Sequence, residues 1–135
     1  MNDTIPFGPI LLGQTEKTLQ ALLRDVLADT GLSEPQWVSL RLAVIGDHDD
    51  RAALVDAIRD RARFPDADDL VATLTDRGLV TGGRSTDAGR DLVTTVLAAS
   101  DRTNGSVWKD LPADDVEAAT RVLNEVLRRA RELAA

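Results

Sequence analysis

Residues Phe64–Arg90 read FPDADDLVATLTDRGLVTGGRSTDAGR. Pro65 stands where a helix opens and Gly78 where it closes, the usual start and stop marks. Between them Leu70, Val71 and Leu74 fall on one helical face. Val80-Thr81-Gly82-Gly83-Arg84-Ser85 is short enough for a tight hairpin, and Thr86–Asp87 has the character of a second helix start. The stretch therefore predicts a helix, a small hairpin and another helix.

Upstream, a third helix takes Ala53 to about Ala62 on Leu54, Val55 and Ile58, with Asp49 or Asp50 as its N-cap after the loop Gly46–Asp50. Two helices joined by the short turn Arg63–Phe64, with apolar residues facing each other, follow the helix-turn-helix plan, and the hairpin adds a wing. Further back, Ser33-Glu34-Pro35-Gln36 matches a capping box and opens the second helix, whose buried candidates are Trp37, Leu40, Val44 and Ile45. The first helix covers residues 9–30, with Leu12, Leu19, Leu22, Leu23, Val26 and Leu27 on one stripe and Gly31 at its end.

Downstream, the fifth helix carries Leu92, Val93, Val96 and Leu97 to about Ser100, and the polar run Asp101–Ser106 predicts a loop or kink. The last helix starts near Pro112. Val116, Ala119, Leu123, Val126, Ala130 and Leu133 alternate steps of three and four, the spacing of a coiled-coil seam. The fold class expected is mainly α: one domain over 1–135, with a winged helix-turn-helix at 34–90, a short β-hairpin wing, and long N- and C-terminal helices at 9–31 and 91–135. Those terminal helices are expected to form a homodimer interface through Leu19, Leu23, Val116, Leu123, Val126 and Leu133, packing within one subunit being the alternative.

Composition narrows the function. Apolar residues at 43% and charged residues at 29% describe a folded chain, while aromatics at 3% leave the core to Leu, Val and Ala. The absence of cysteine excludes disulfides, thiolate metal sites and thiol catalysis. No stretch is apolar enough for a signal peptide or a membrane span, so a soluble, cytoplasmic protein without membrane partners is expected. The net charge of −7 is unevenly placed: residues 51–90 hold seven Arg and seven Asp, whereas residues 1–50 carry −5 and residues 91–135 carry −2. The acidity thus lies outside the helix-turn-helix.

Gly31-Leu32-Ser33-Glu34-Pro35-Gln36-Trp37-Val38-Ser39-Leu40 resembles the "gLt-x-x-qw-x-vL" start of the second helix in the MarR family of dimeric bacterial transcription regulators. Leu74-Thr75-Asp76-Arg77-Gly78-Leu79-Val80 is similar to that family's "Le-x-x-GLV" passage into the wing. Ser85-Thr86-Asp87-Ala88-Gly89-Arg90 resembles its "LT-x-x-G" start of the following helix, and Leu111-Pro112-Ala113-Asp114-Asp115-Val116 its "l-s-x-e-e" start of the last. The resemblance runs from about Gly8 to Leu133. It implies a non-enzymatic DNA-binding regulator, without cofactor, whose partners are double-stranded DNA, a second copy of itself and a small aromatic ligand. Two departures stand out. The family's "DrR" wing turn is shortened here to Thr81-Gly82-Gly83-Arg84, and its Ser/Thr-Arg pair in the reading helix falls on Asp68–Asp69.

The residues expected to meet DNA are Arg59, Arg61, Arg63, Asp68, Asp69, Thr73 and Arg84. Arg59, Arg61 and Arg63, with Arg51, Arg84 and Arg90, could form a phosphate-contacting rim, which positions a protein without reading sequence; a solvated face balanced by Asp56, Asp60 and Asp76 is the alternative. Carboxylates in a reading helix can only accept hydrogen bonds from bases, but Asp66, Asp68 and Asp69 also suit the positive end of a helix dipole. Trp37 and Arg41, one turn apart, are the candidate ligand pocket, with core packing the alternative for Trp37. Asp47-His48-Asp49-Asp50 contains potential metal ligands, but Asp clustered before a helix reads as capping, and no metal site is expected. No catalytic constellation stands out. The Asp-bearing helix and short wing leave a second reading open: a degenerate winged-helix module with lost or weakened DNA reading, acting as a protein-interaction or ligand-sensing dimer.

Overall fold

In the computed structural model, which describes residues 4–46 and 48–134, helix α1 spans Pro9–Leu27 and α2 spans Glu34–Ile45. Asp47, one of the loop carboxylates considered above, lies outside the described residues. The capping box at α2 forms as expected: Ser33 Oγ accepts from the Gln36 N–H at 3.2 Å, and Gln36 Oε1 accepts from the Ser33 N–H at 3.0 Å. Helix α1 stops at Leu27 rather than near residue 30. The Thr30 N–H and hydroxyl both donate to the Leu27 carbonyl, and Gly31 at φ 74 turns the chain toward α2.

Helix α3, Arg51–Ala57, is capped by Asp50, whose carboxylate accepts from the Ala53 N–H at 2.9 Å, and continues as a π-helical turn over Ile58–Ala62. Helix α4 covers Ala67–Asp76. It begins two residues later than expected because Arg63, at φ 60, is left-handed, so Pro65 lies in the turn ahead of the N-cap Asp66. Its C-terminus closes by the Gly78 N–H donating to Thr75 O and the Leu79 N–H to Leu74 O, with Gly78 at φ 75. This is the Schellman arrangement, and only glycine takes that φ without penalty.

Strands β1 (Val80–Thr81) and β2 (Arg84–Ser85) pair antiparallel, Val80 opposite Ser85 and Thr81 opposite Arg84, across the Gly82-Gly83 turn. Helix α5, Asp87–Asn104, is led in by Thr86, whose hydroxyl donates to Gly78 O at 2.6 Å and accepts from the Gly89 N–H at 3.0 Å. The break expected over Asp101–Ser106 comes late within that run: α5 runs on to Asn104, the Thr103 hydroxyl donates to Ala99 O, and a short 3-10 turn follows at Gly105–Val107. The helix thus ends inside the polar run, four residues later than expected. Helix α6 spans Ala113–Ala134.

The chain divides into two compact units, the first ending at Asn104 and the second beginning at Gly105. In the first, α2, α3, α4 and the wing enclose a core in which Leu40, Leu54, Ile58, Val71 and Leu74 are fully buried, with Trp37, Val80, Val93 and Val96 around them. Buried Ser39 donates to Pro35 O at 2.8 Å, so its hydroxyl is satisfied. Two expected core residues are exposed. Ile45, at the last turn of α2, is 68% exposed because it lies well round the helix from Leu40, and Leu97 falls at the edge of the Val93–Val96 stripe. In the second unit no described residue of α6 is buried, and Val116, Leu123, Val126 and Leu133 face outward.

Candidate nucleic-acid interface

The helix-turn-helix places α3, the π-helical turn and α4 beside the hairpin, and this surface gathers most of the expected DNA contacts. The outward side of α4 carries Asp68, Asp69, Ala72, Thr75 and Asp76, with Thr73 half-buried. Arg84 is exposed on β2. Arg61 and Arg63 are exposed at the end of the π-helical turn, and among the described residues neither they nor Arg84 is in an ion pair.

Asp68 is differently placed. One carboxylate oxygen is 3.1 Å from Arg51 Nη1, the other 3.5 Å from Arg59 Nη2, and Arg51 Nη2 donates to the Asp68 backbone carbonyl at 3.0 Å. Arg59 also reaches Asp56 at 3.6 Å. The carboxylate at the start of α4 is thus held between two guanidinium groups from α3 and the turn after it. Sequence reading paired neither arginine with Asp68, since seventeen residues separate Arg51 from it. A signal was present: Arg51 is the first residue of α3, where the helix dipole disfavours a cation, which calls for a nearby carboxylate.

Two further arginines brace the scaffold. Arg90 donates to Ser85 O at 2.9 Å and pairs with Asp87, fixing the root of the wing. Arg77, which sequence reading gave no role, donates to Thr30 O at 3.0 Å and Gly31 O at 3.3 Å, tying the C-terminus of α4 to the turn between α1 and α2. The wing tip is also held. A Cβ on Gly83 would meet the His48 carbonyl oxygen at 2.6 Å and overlap that of Asp50, so the turn rests directly on the α2–α3 loop.

Trp37 and Arg41 do come together, the guanidinium 5.8 Å from the ring centroid, with Trp37 buried in the core. Neither lines either of two grooves found in the first unit. One groove, about 430 Å³, lies between the end of α1 and the start of α2, bordered by Arg24, Leu27, Leu32 and Pro35; the other, about 400 Å³, lies between α1 and α5, bordered by Leu22, Val26, Asp25, Asp29 and Thr103. Of the expected dimer residues in α1, Leu23 packs against the core and Leu19 is half-buried. On α6, Arg128 and Arg129 hydrogen-bond Glu125 and draw its carboxyl down to about 2. Among the described residues no group of three or more His, Cys, Asp or Glu is placed to hold a metal, and no helix is long and apolar enough to cross a membrane.

Comparison with known proteins agrees with this geometry. No curated protein sequence matches the chain. The crystal structure of the Mycobacterium tuberculosis MarR family protein Rv2887 in complex with p-aminosalicylic acid superposes with a TM-score of 0.64 at 22% identity, over 90% of this chain and 98% of that one. A second structure of Rv2887 gives 0.60 at 22% identity, covering 87% and 91%. The multiple antibiotic-resistance repressor MarR of Listeria monocytogenes gives 0.53 at 16% identity, covering 95% and 99%. A family model described as a helix-turn-helix family matches residues 42–135. With the α3–turn–α4 pair and hairpin in place, the chain belongs to that helix-turn-helix family and has the winged fold seen in MarR family proteins.

Proposed function

We propose that this protein is a DNA-binding transcription regulator of the MarR type, acting as a homodimer of one MarR-like domain over 1–135 in the cytoplasm. The observation that carries the proposal is the α3–turn–α4–hairpin unit in a chain of a helix-turn-helix family. In this reading α4 lies at the major groove, Arg61 and Arg63 contact phosphates, and Arg84 reaches the duplex from the wing. The exposed apolar residues of α6, Val116, Leu123 and Val126 among them, support dimerisation through the terminal helices. Ligand control belongs to the same proposal. One similar structure is a complex with p-aminosalicylic acid, and the α1–α2 groove offers Arg24 as a partner for a carboxylate.

The test is selection of bound duplexes from a random pool, with the assembly state checked by sedimentation. A dimer that enriches a two-fold symmetric sequence, with affinity falling as salt rises, supports the proposal. Failure to retain any duplex at low salt, where electrostatic attraction is strongest, refutes it. That outcome would favour the alternative, a degenerate winged-helix module, for which the Asp68, Asp69 and Asp76 carboxylates on the outward side of α4 are the specific support.

A further inference from the structure

We propose that Arg51 and Arg59 form one phosphate-binding position and that the Asp68 carboxylate occupies it as an internal counterion, restraining DNA affinity until a backbone phosphate displaces it. The inference rests on the reading that this face meets a duplex. Three features support it. Asp68 presents one oxygen to each guanidinium, at 3.1 and 3.5 Å, much as a phosphodiester presents its two non-bridging oxygens. The side chains are 48%, 46% and 63% exposed for Arg51, Arg59 and Asp68, so an incoming anion can reach the arginines and Asp68 has room to rotate away. Exposed ion pairs of this kind hold weakly, which keeps the exchange cheap.

The third feature is the bond from Arg51 Nη2 to the Asp68 backbone carbonyl. It does not depend on the carboxylate, so Arg51 stays in place when the carboxylate leaves. Asp69 offers the contrast: it is also exposed in the first turn of α4, but among the described residues it engages no arginine. The two neighbouring carboxylates therefore have different work. Asp69 only adds negative charge, whereas Asp68 also occupies two cations.

The test compares wild type, Asp68→Asn and Asp69→Asn by fluorescence anisotropy on a labelled duplex of arbitrary sequence across a salt series. Each variant removes one negative charge, but only Asp68→Asn takes a carboxylate away from arginines, leaving Arg51 without one and Arg59 with Asp56 alone at 3.6 Å. Each added phosphate contact steepens the dependence of log affinity on log salt by about 0.9, so Asp68→Asn should steepen it by roughly 1–2 and tighten binding about 3–10-fold at the lowest salt. Asp69→Asn should leave the slope unchanged, and Arg51→Ala with Arg59→Ala should abolish the gain in the Asp68→Asn background. Asp68→Ser, with folding checked by circular dichroism, repeats the test without an amide. If wild type binds and Asp68→Asn matches either wild type or Asp69→Asn in slope, the inference falls and the regulator reading stands. If only the Asp68 variants bind, no phosphate displaces Asp68 in the wild-type protein, and the inference falls together with that reading. If none binds at the lowest salt, both fall.

Discussion

The two glycines of the wing turn should respond to substitution in opposite ways. Gly82 has φ 60 with nothing within 4 Å of where a Cβ would stand, so its constraint is conformational. Gly83 lacks that φ, but a Cβ there would press on the His48 and Asp50 carbonyl oxygens, so its constraint is space. At 82 an alanine costs about 1–2 kcal/mol for the left-handed backbone. Asparagine, which visits that region, recovers part of the loss. At 83, overpacking costs about 1–3 kcal/mol, offset by roughly 0.4–1 kcal/mol from a stiffer unfolded chain. Backbone oxygens cannot swing aside as a flexible side chain would, so a net loss of about 1–2 kcal/mol is expected for Gly83→Ala, and Gly83→Asn should be worse. Thermal unfolding followed by circular dichroism reads these differences, each kcal/mol shifting Tm by about 4–8 °C in a unit of this size. The signature is the ranking: Asn above Ala at 82, and Ala above Asn at 83. The same ranking at both positions, or a Gly83→Ala protein as stable as wild type, would refute the contact between wing and loop.

Two further perturbations probe the core and α6. Leu74, fully buried where α4 meets the core, should lose about 3 kcal/mol on Leu74→Ala, lowering Tm by more than about 10 °C in the same melt; a shift of a degree or two would mean that the site is not packed as described. Glu125, lowered from 4.5 to about 2 by Arg128 and then Arg129, stabilises α6 fully above its unfolded value, and that contribution is lost as pH falls through its folded value. Carboxyl NMR should therefore place the Glu125 midpoint near 2, and a midpoint near 4.5 would remove the ion pairs from solution.

Sequence was a sound guide to whatever the chain determines over a few residues. The Ser33–Gln36 capping box, the glycine stop at Gly78 and the Gly82-Gly83 hairpin each depend on neighbours in the chain, and all form as expected. Hydrophobicity misled where it was used to find ends. The first four residues of the polar run after Ser100 stay helical because an exposed helix tolerates them, so α5 ends at Asn104, and Ile45 lies outside the core because its angle around α2 outweighs its apolarity. The arrangement of charge was legible only as a balance. Counting arginines against aspartates gave a neutral helix-turn-helix; which arginine meets which carboxylate depends on how α3 crosses α4, and no spacing rule carries that over seventeen residues. Trp37 and Arg41 lie together, with the indole buried in the core, the alternative already open for Trp37.

Arg77 gives α4 a second point of support. Its guanidinium joins the far end of that helix to the carbonyls of Thr30 and Gly31, while Asp68 joins the near end to α3. Helix α4 is thus tied at both ends by exposed polar contacts, while its buried Leu70, Val71 and Leu74 seat it in the core. The α1–α2 turn and the helix that faces outward beside the wing are therefore in direct contact through one arginine, although Gly31 and Arg77 stand forty-six positions apart in the chain.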